Sequence, residues 1–377
     1  MDFELNSDQV MLQETVQRFV SDKIASQAKT WEDQGHIPDE VFAELAGMGL
    51  LGVTTDPGWE GSGLGPLELA LVIEALAGGD GALGLVAAGH SALCSSHIEQ
   101  FGSAALKDRF LKPLARGDKL GAWGLTEAAG AHPAAIQTRA ERDGNDWVLN
   151  GSKVFVPLGT RADVCVVLAR TEPESLTAFV IDRDTAGFEQ QPGRDPLGLR
   201  VADHARWILE GVRISDAARI GEVNDGWSQA NTVLSGANIA LGALAVGVGR
   251  SAVAAAASYA LERKQFGKPI AEFQAVQWKI ADMATELDAA ALLVYRAAHM
   301  AGAGQPFSTE AAMAKLFASE AARRAADQAI QVHGGFGFTT DFVPERLYRD
   351  AQIVAIAVGT RDDQRTTIAN HLLERGN

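Results

Sequence analysis

The hydrophobic period of this chain changes twice, and that double change limits the fold more than any other feature. Near the start, Leu12, Val16, Phe19, Val20 and Ile24 recur at helical spacing behind Ser7, the expected cap. Pro38-Asp39 should open a second helix through Leu45, which Gly47 and Gly49 end. PLELALVIEALAG and Leu83 to Phe101 continue as helices, and ALKDRFLKPLARGD closes the region. From Leu120 the pattern becomes that of strands. WVLNGSKVFV, ADVCVVLAR, LTAFVIDR and ARWILEGVRI are β-rich runs bounded by Asp-Gly, Asn-Gly and Gly/Pro turns, reaching about Ile220. After GEVNDGW the helical period returns and lasts to the C-terminus. The expected fold class is α+β: an all-helical domain over 1–118, a middle β domain over 119–222 and a helical domain over 223–377.

At 377 residues such a chain can bury several substantial cores. A net charge of −15 argues against nucleic acid and anionic membrane surfaces as partners. Cys94 and Cys165 sit in apolar contexts without metal-ligand spacing, so no metal is expected. Buried free thiols suit a reducing cytosol, and a cytoplasmic location is the expectation. MDFELNSDQVMLQ lacks a basic segment followed by an apolar run, as a signal peptide would have. The Ala-rich run Ile239 to Ala257 is interrupted by Arg250, which argues against a membrane span.

The stretch Tyr259 to Met283, YALERKQFGKPIAEFQAVQWKIADM, reads as a helix end, a turn at Gly267-Lys268-Pro269, and a new helix carrying Gln274. Physics alone makes Arg263 and Lys264 a solvated basic helix end with Phe266 in the core. Arginine also binds phosphate bidentately, and phenylalanine lies against flat rings. The segment closely resembles the acyl-CoA dehydrogenase family, in which Arg-Lys-x-Phe-Gly and a following Gln contact FAD across a subunit interface. QVHGGFGFTTDF (Gln331 to Phe342) and ERLYRDAQIVAIAVGTRDDQR (Glu345 to Arg365) match in register, and the resemblance covers essentially the whole chain. It implies a β-barrel-like middle domain, a C-terminal four-helix bundle, FAD, and a dimer or tetramer. Thr126, Phe155, Arg263, Phe266, Gln274, Gln331, Gly334, Gly335 and Thr360 are the cofactor-binding residues it implies.

The family reaction removes an α-proton and a β-hydride from an acyl thioester. In most members the proton goes to the Glu of Glu-Gly-Thr, which is Val358-Gly359-Thr360 here. Other members carry the base on the first long helix of the C-terminal domain, at the position of Ala237, followed by Asn238 in place of a common Arg. Both usual base positions are thus aliphatic. The flavin and thioester loop appears as TEAAGAHP, one residue shorter across the region, where His132 is either a candidate acid or base or a solvated loop histidine. In GSKVFVPLG, Phe155 takes the place of the flavin-face Trp and Pro157 that of a Thr whose hydroxyl lies near N5. Asp362 and Asp363 read as helix-capping acids. The main-chain N–H of Val358 survives the side-chain change and remains an expected donor to the thioester oxygen.

Three functions fit these residues. One is a flavoprotein acting on an acyl thioester, held by CoA or a carrier protein, with a displaced base. The second is different chemistry on the same fold, of elimination or decarboxylation type. The third is a non-catalytic subunit completing a partner's FAD site in a hetero-oligomer. The electron acceptor is an electron-transfer flavoprotein, oxygen, or none.

Overall fold

The computed structural model describes residues 4–374, so the outermost residues of the two end domains lie outside it. Helix α1 spans Ser7–Phe19, but its cap is Asn6 rather than Ser7. Asn6 Oδ1 accepts the Asp8 and Gln9 N–H groups at 3.0 and 2.9 Å, and Gln9 Oε1 accepts the Asn6 N–H at 3.0 Å. This reciprocal pairing satisfies first-turn donors that Ser7, itself already helical, cannot reach. Helix α2 (Ala28–Gln34) was not expected; at 7 residues it is too short to show a period, and it buries Trp31 before Gly35 ends it. Then follow α3 (Asp39–Gly47), α4 (Pro66–Gly79), α5 (Gly81–Ala88), a π-helical stretch (Gly89–Ser95), α6 (Ser96–Phe101), α7 (Ala104–Leu106) and α8 (Lys112–Arg116).

The middle region is one 8-stranded sheet. Its strands are β1 (Gly121–Gly124), β2 (Arg139–Asp143), β3 (Asp146–Val156), β4 (Val164–Glu172), β5 (Ser175–Asp182), β6 (Phe188–Pro192), β7 (Ala205–Ser215) and β8 (Arg219–Ile220). They run in the order β6-β7-β3-β2-β4-β5-β8, with β1 parallel to β4. The four expected runs are β3, β4, β5 and β7. The others are short or lack a clean alternation, and β1 reads only GAWG. Strand β4 is buried on both faces: Val164, Val166 and Leu168 join the helical core, while Cys165, Val167 and Ala169 join a second core around Trp147, Phe179 and Trp207. The β domain is thereby welded to the helices on one side. Both cysteines are buried free thiols, and burial pushes each well above the usual thiol range.

The C-terminal region comprises α9 (Gly226–Glu262), α10 (Gln274–Gly302), α11 (Ser308–His333), α12 (Pro344–Val354) and α13 (Arg361–Glu374). At 37 residues α9 is long and apolar enough to pass for a membrane span by length and composition alone, Arg250 included. It is instead the central core helix, packed by α4, α10 and α11. The charge at Arg250 is met by Glu74 of α4, whose carboxylate also accepts the Tyr295 hydroxyl at 2.7 Å. Gly247 lets α9 touch α4: a Cβ there would lie 2.2 Å from the Glu74 carbonyl oxygen.

Two buried histidines tie these regions together. Trp123 Nε1–H donates to His97 Nδ1 at 2.9 Å, so the opposite nitrogen donates to Gln229 Oε1 at 3.1 Å. Gly121 N–H donates to His90 Nδ1 at 3.0 Å, and its Nε2–H donates to the Leu114 carbonyl at 3.2 Å. Neither ring has a free site for a second proton, and burial pulls both down to about 4. An unfolded histidine takes its proton near pH 6.5, so these two favour folding fully above that pH, and the advantage is lost as pH falls toward 4. Moving from about pH 7 to about pH 4.5 should cost roughly 2 kcal/mol per histidine, read as a lower urea midpoint. An unchanged midpoint would show that neither ring is held neutral.

Candidate functional site

The expected residues fall into three groups. In the first, α9 ends at Glu262 and the chain forms a hairpin of β9 (Lys264–Gln265) and β10 (Lys268–Pro269). Its turn is therefore Phe266-Gly267, not Gly267-Lys268-Pro269, and the next helix waits until Gln274. Both turn residues have positive φ, +50° and +81°, as a two-residue hairpin of matching twist requires. Phe266 is 93 % exposed, which overturns its expected place in the core. This phenylalanine in left-handed backbone, held out from the surface, meets Phe273 edge-to-face with ring centroids 6.2 Å apart.

An aromatic clamp sets what lies beside this hairpin. Tyr259 stacks on His333 at 4.2 Å, and Phe342 packs edge-on against both rings. The clamp locks the end of α9 to the end of α11. Arg263 then lies over Phe336 at 5.7 Å, beside Gly334 and Gly335. Gly334 has φ +60°, and added Cβ atoms at 334 or 335 would meet nothing within 4 Å. Gln274, in the first turn of α10, and Gln331, near the end of α11, are both exposed. Arginine, exposed aromatic, amides and open glycine backbone suit a flat, phosphate-bearing ligand.

In the second group, fully buried Lys153 of β3 donates to Glu127 Oε1 at 2.7 Å. The Glu127 carboxylate also takes the Gln137 and Thr138 N–H groups at 2.6 and 3.0 Å. Burial works against that charge, but Lys153 and these donors hold the carboxyl below its usual range. Burial draws Lys153 down to about 8, so it stays largely charged at neutral pH. The pair anchors the Thr126 loop, and Val154 N–H donates to the Thr126 carbonyl at 2.9 Å. The β3–β7 register slips between Lys153 and Val156, and Phe155 emerges there with φ +57°, 61 % exposed. His132, on the same loop, is exposed and caps a short 3-10 turn, its Nδ1 accepting the Ala134 N–H at 3.3 Å.

The third group surrounds Val358, a β-branched residue at φ +52°. Lys315 of α11, 1 % exposed, donates to the carbonyls of Ala357, Val358 and Gly359 at 2.6, 2.9 and 2.7 Å. Burial draws this ammonium down to about 7, opposed by Asp363. Three carbonyl acceptors use all three N–H bonds of the charged form. Asp363 caps α13 as expected, taking the Thr360 N–H and hydroxyl at 2.7 and 2.8 Å. Ala237 is buried in α9, and its neighbour Asn238 donates to Gln364 Oε1 at 3.2 Å.

A cavity of about 280 Å³ lies between α4, α6 and α9. A wider groove of about 710 Å³ on the outer face of α10, α11 and α12 carries none of the expected residues.

The three regions correspond to three family models, described as the acyl-CoA dehydrogenase N-terminal domain over residues 6–118, middle domain over 122–212 and C-terminal domain over 224–373. The chain belongs to the acyl-CoA dehydrogenase family. It is 38% identical to the probable acyl-CoA dehydrogenase YngJ of Bacillus subtilis (strain 168), over 99% of this chain and 100% of that one. Butyryl-CoA dehydrogenase from Megasphaera elsdenii has the same fold, with a TM-score of 0.96 at 34% identity, covering 99% of this chain and 100% of the other. A structure described as PigA with FAD and proline superposes at 0.95 with 31% identity, covering both chains fully. Within this acyl-CoA dehydrogenase fold, reading the sequence missed Lys315 and the cavity. The one signal for Lys315 was a lone lysine in the Ala-rich run AAMAKLFASEAA.

Proposed function

We propose that this protein is an FAD-dependent oxidoreductase acting on an acyl thioester, with Val358 in place of the usual base. The observation that carries the cofactor assignment is Phe266, held out of the fold in left-handed backbone beside Arg263. That geometry suits a ligand bound between subunits, and so an oligomer. Arg263, Gln274, Gln331, Gly334 and Gly335 would hold the dinucleotide part, and Phe155 would lie against the ring system from the Thr126 loop. When bound, FAD supplies a two-electron acceptor. Lys315 fixes the carbonyls on both sides of the Val358 N–H, leaving that N–H as a positioned donor for the thioester oxygen. Thr360 contributes less than the resemblance implied, because Asp363 takes both its N–H and its hydroxyl. His132 already uses Nδ1 as a cap, which weakens it as the base. The thioester carrier is CoA or a carrier protein, and an electron-transfer flavoprotein is the proposed acceptor. A cytosolic location rests on the two buried thiols.

The test is the visible absorption spectrum of the protein expressed alone. Flavin bands near one per subunit are expected, and Arg263→Ala should weaken flavin retention by about tenfold or more, the loss of a charge-assisted contact. A colourless oligomer that stays colourless with added FAD would overturn the enzyme reading and leave a subunit that completes a partner's site.

A further inference from the structure

Lys315 reaches three successive carbonyls from inside the bundle, those of Ala357, Val358 and Gly359. The chain makes this turn with positive φ at two residues running, +52° at Val358 and +101° at Gly359. Every peptide bond among the described residues is trans, so each C=O points away from the N–H of its own amide. The N–H groups across these three amides belong to Val358, Gly359 and Thr360, and they face away from the ammonium. Asp363 takes the Thr360 N–H at 2.7 Å, whereas the Val358 N–H meets no acceptor among the described residues. That free N–H shares an amide with the Ala357 carbonyl, which makes the shortest of the three bonds, at 2.6 Å. A cation on an amide oxygen favours the resonance form with a positive nitrogen, and this makes the N–H a stronger donor. The charge itself also favours negative charge on an oxygen beyond that N–H.

We propose that Lys315 is a positioning residue for the reaction: acting through the Ala357–Val358 amide, its charge strengthens the N–H that polarises the thioester carbonyl. This inference rests on the thioester reading above. Burial draws the ammonium down to about 7, so polarisation should fade as pH rises through that value. Neutral lysine keeps two N–H donors for the loop and loses only the charge. Asp363 is the charged group that faces Lys315, and it favours the ammonium; Arg361, on the same helix, is paired with Glu320 at 2.7 Å. Gly242 of α9 packs against the Lys315 backbone and Val294 of α10, so neither helix sets a charge at that point.

The test is the carbonyl stretch of a bound thioester, isolated by ¹³C labelling and infrared difference spectroscopy on the FAD-loaded protein. Crotonyl, octenoyl and cinnamoyl pantetheine serve as probes, because 2-enoyl thioesters are already unsaturated and pantetheine is common to CoA and carrier proteins. In the wild type the bound carbonyl should absorb at lower frequency at about pH 6 than at about pH 9, with affinity falling about fivefold across that range, the difference between a charge-assisted and a neutral bond. Lys315→Gln, which keeps two N–H donors without the charge, should give the high-pH frequency throughout. Asp363→Asn, still a helix cap, should move the change to lower pH, because the ammonium loses its partner. A wild-type frequency that does not vary with pH, or a variation that survives Lys315→Gln, overturns the role of Lys315 alone. If Lys315→Gln fails to fold, the wild-type profile and Asp363→Asn decide, and a midpoint that Asp363→Asn leaves in place counts against Lys315. A protein that retains FAD but binds none of the three thioesters overturns the thioester reading, and this inference with it.

Discussion

Replacing Lys315 by methionine should lower the free energy of unfolding by roughly 3 kcal/mol, the largest stability loss expected from a single change near the site. The ammonium serves three successive carbonyls from inside the bundle. Methionine fills much the same volume but leaves those carbonyls without a donor where water reaches them only in part. Removing a buried charge refunds some of that loss, which is why the figure is not larger. The effect should also be local. Amide exchange over residues 357–360 should accelerate more than exchange in the α9 core, because the left-handed backbone at Val358 persists only while its surroundings enforce it. Unchanged stability together with unchanged exchange would show that the loop is held by packing instead.

Val358→Glu should create or raise α,β-dehydrogenation of an acyl thioester by about 100-fold or more, the scale on which a positioned general base contributes. The backbone does not oppose the change. Valine is among the residues least suited to φ +52°, and glutamate, unbranched at Cβ, is better tolerated there. The readout is anaerobic bleaching of the flavin bands with a panel of acyl thioesters. No gain with any of them would shift the deficiency to Pro157, which has neither hydroxyl nor N–H to offer, or to the short Thr126 loop.

The order of helical, β and helical regions was legible in the sequence because each region buries a face at its own period. Helix α1 shows apolar residues at every third or fourth place, and β7 alternates ARWILEGVRIS with burial on every second residue over most of its length. Helix α2 and strand β1 were missed because neither is long enough for a period to register. The cap of α1 was placed one residue late, since Asn6 and Ser7 are both good caps and only Gln9 decides between them.

The site divides in the same way. Which residues make the Arg263, Gly334 and Thr126 motifs is a property of the chain, fixed by residue type and spacing. Phe266 shows where that stops: the same side chain serves a core or a surface, and a two-residue hairpin turn, invisible to apolar periodicity, sent it outward. Lys315 and Val358 are 43 residues apart, and no local rule pairs them. Glu99 follows a π-helical stretch and lines the cavity between α4, α6 and α9, which its own neighbours in sequence do not foretell. Periodicity and turn chemistry are local forces that the sequence states outright. Contacts between residues far apart in the chain depend on how finished elements pack, and only the tertiary structure decides them.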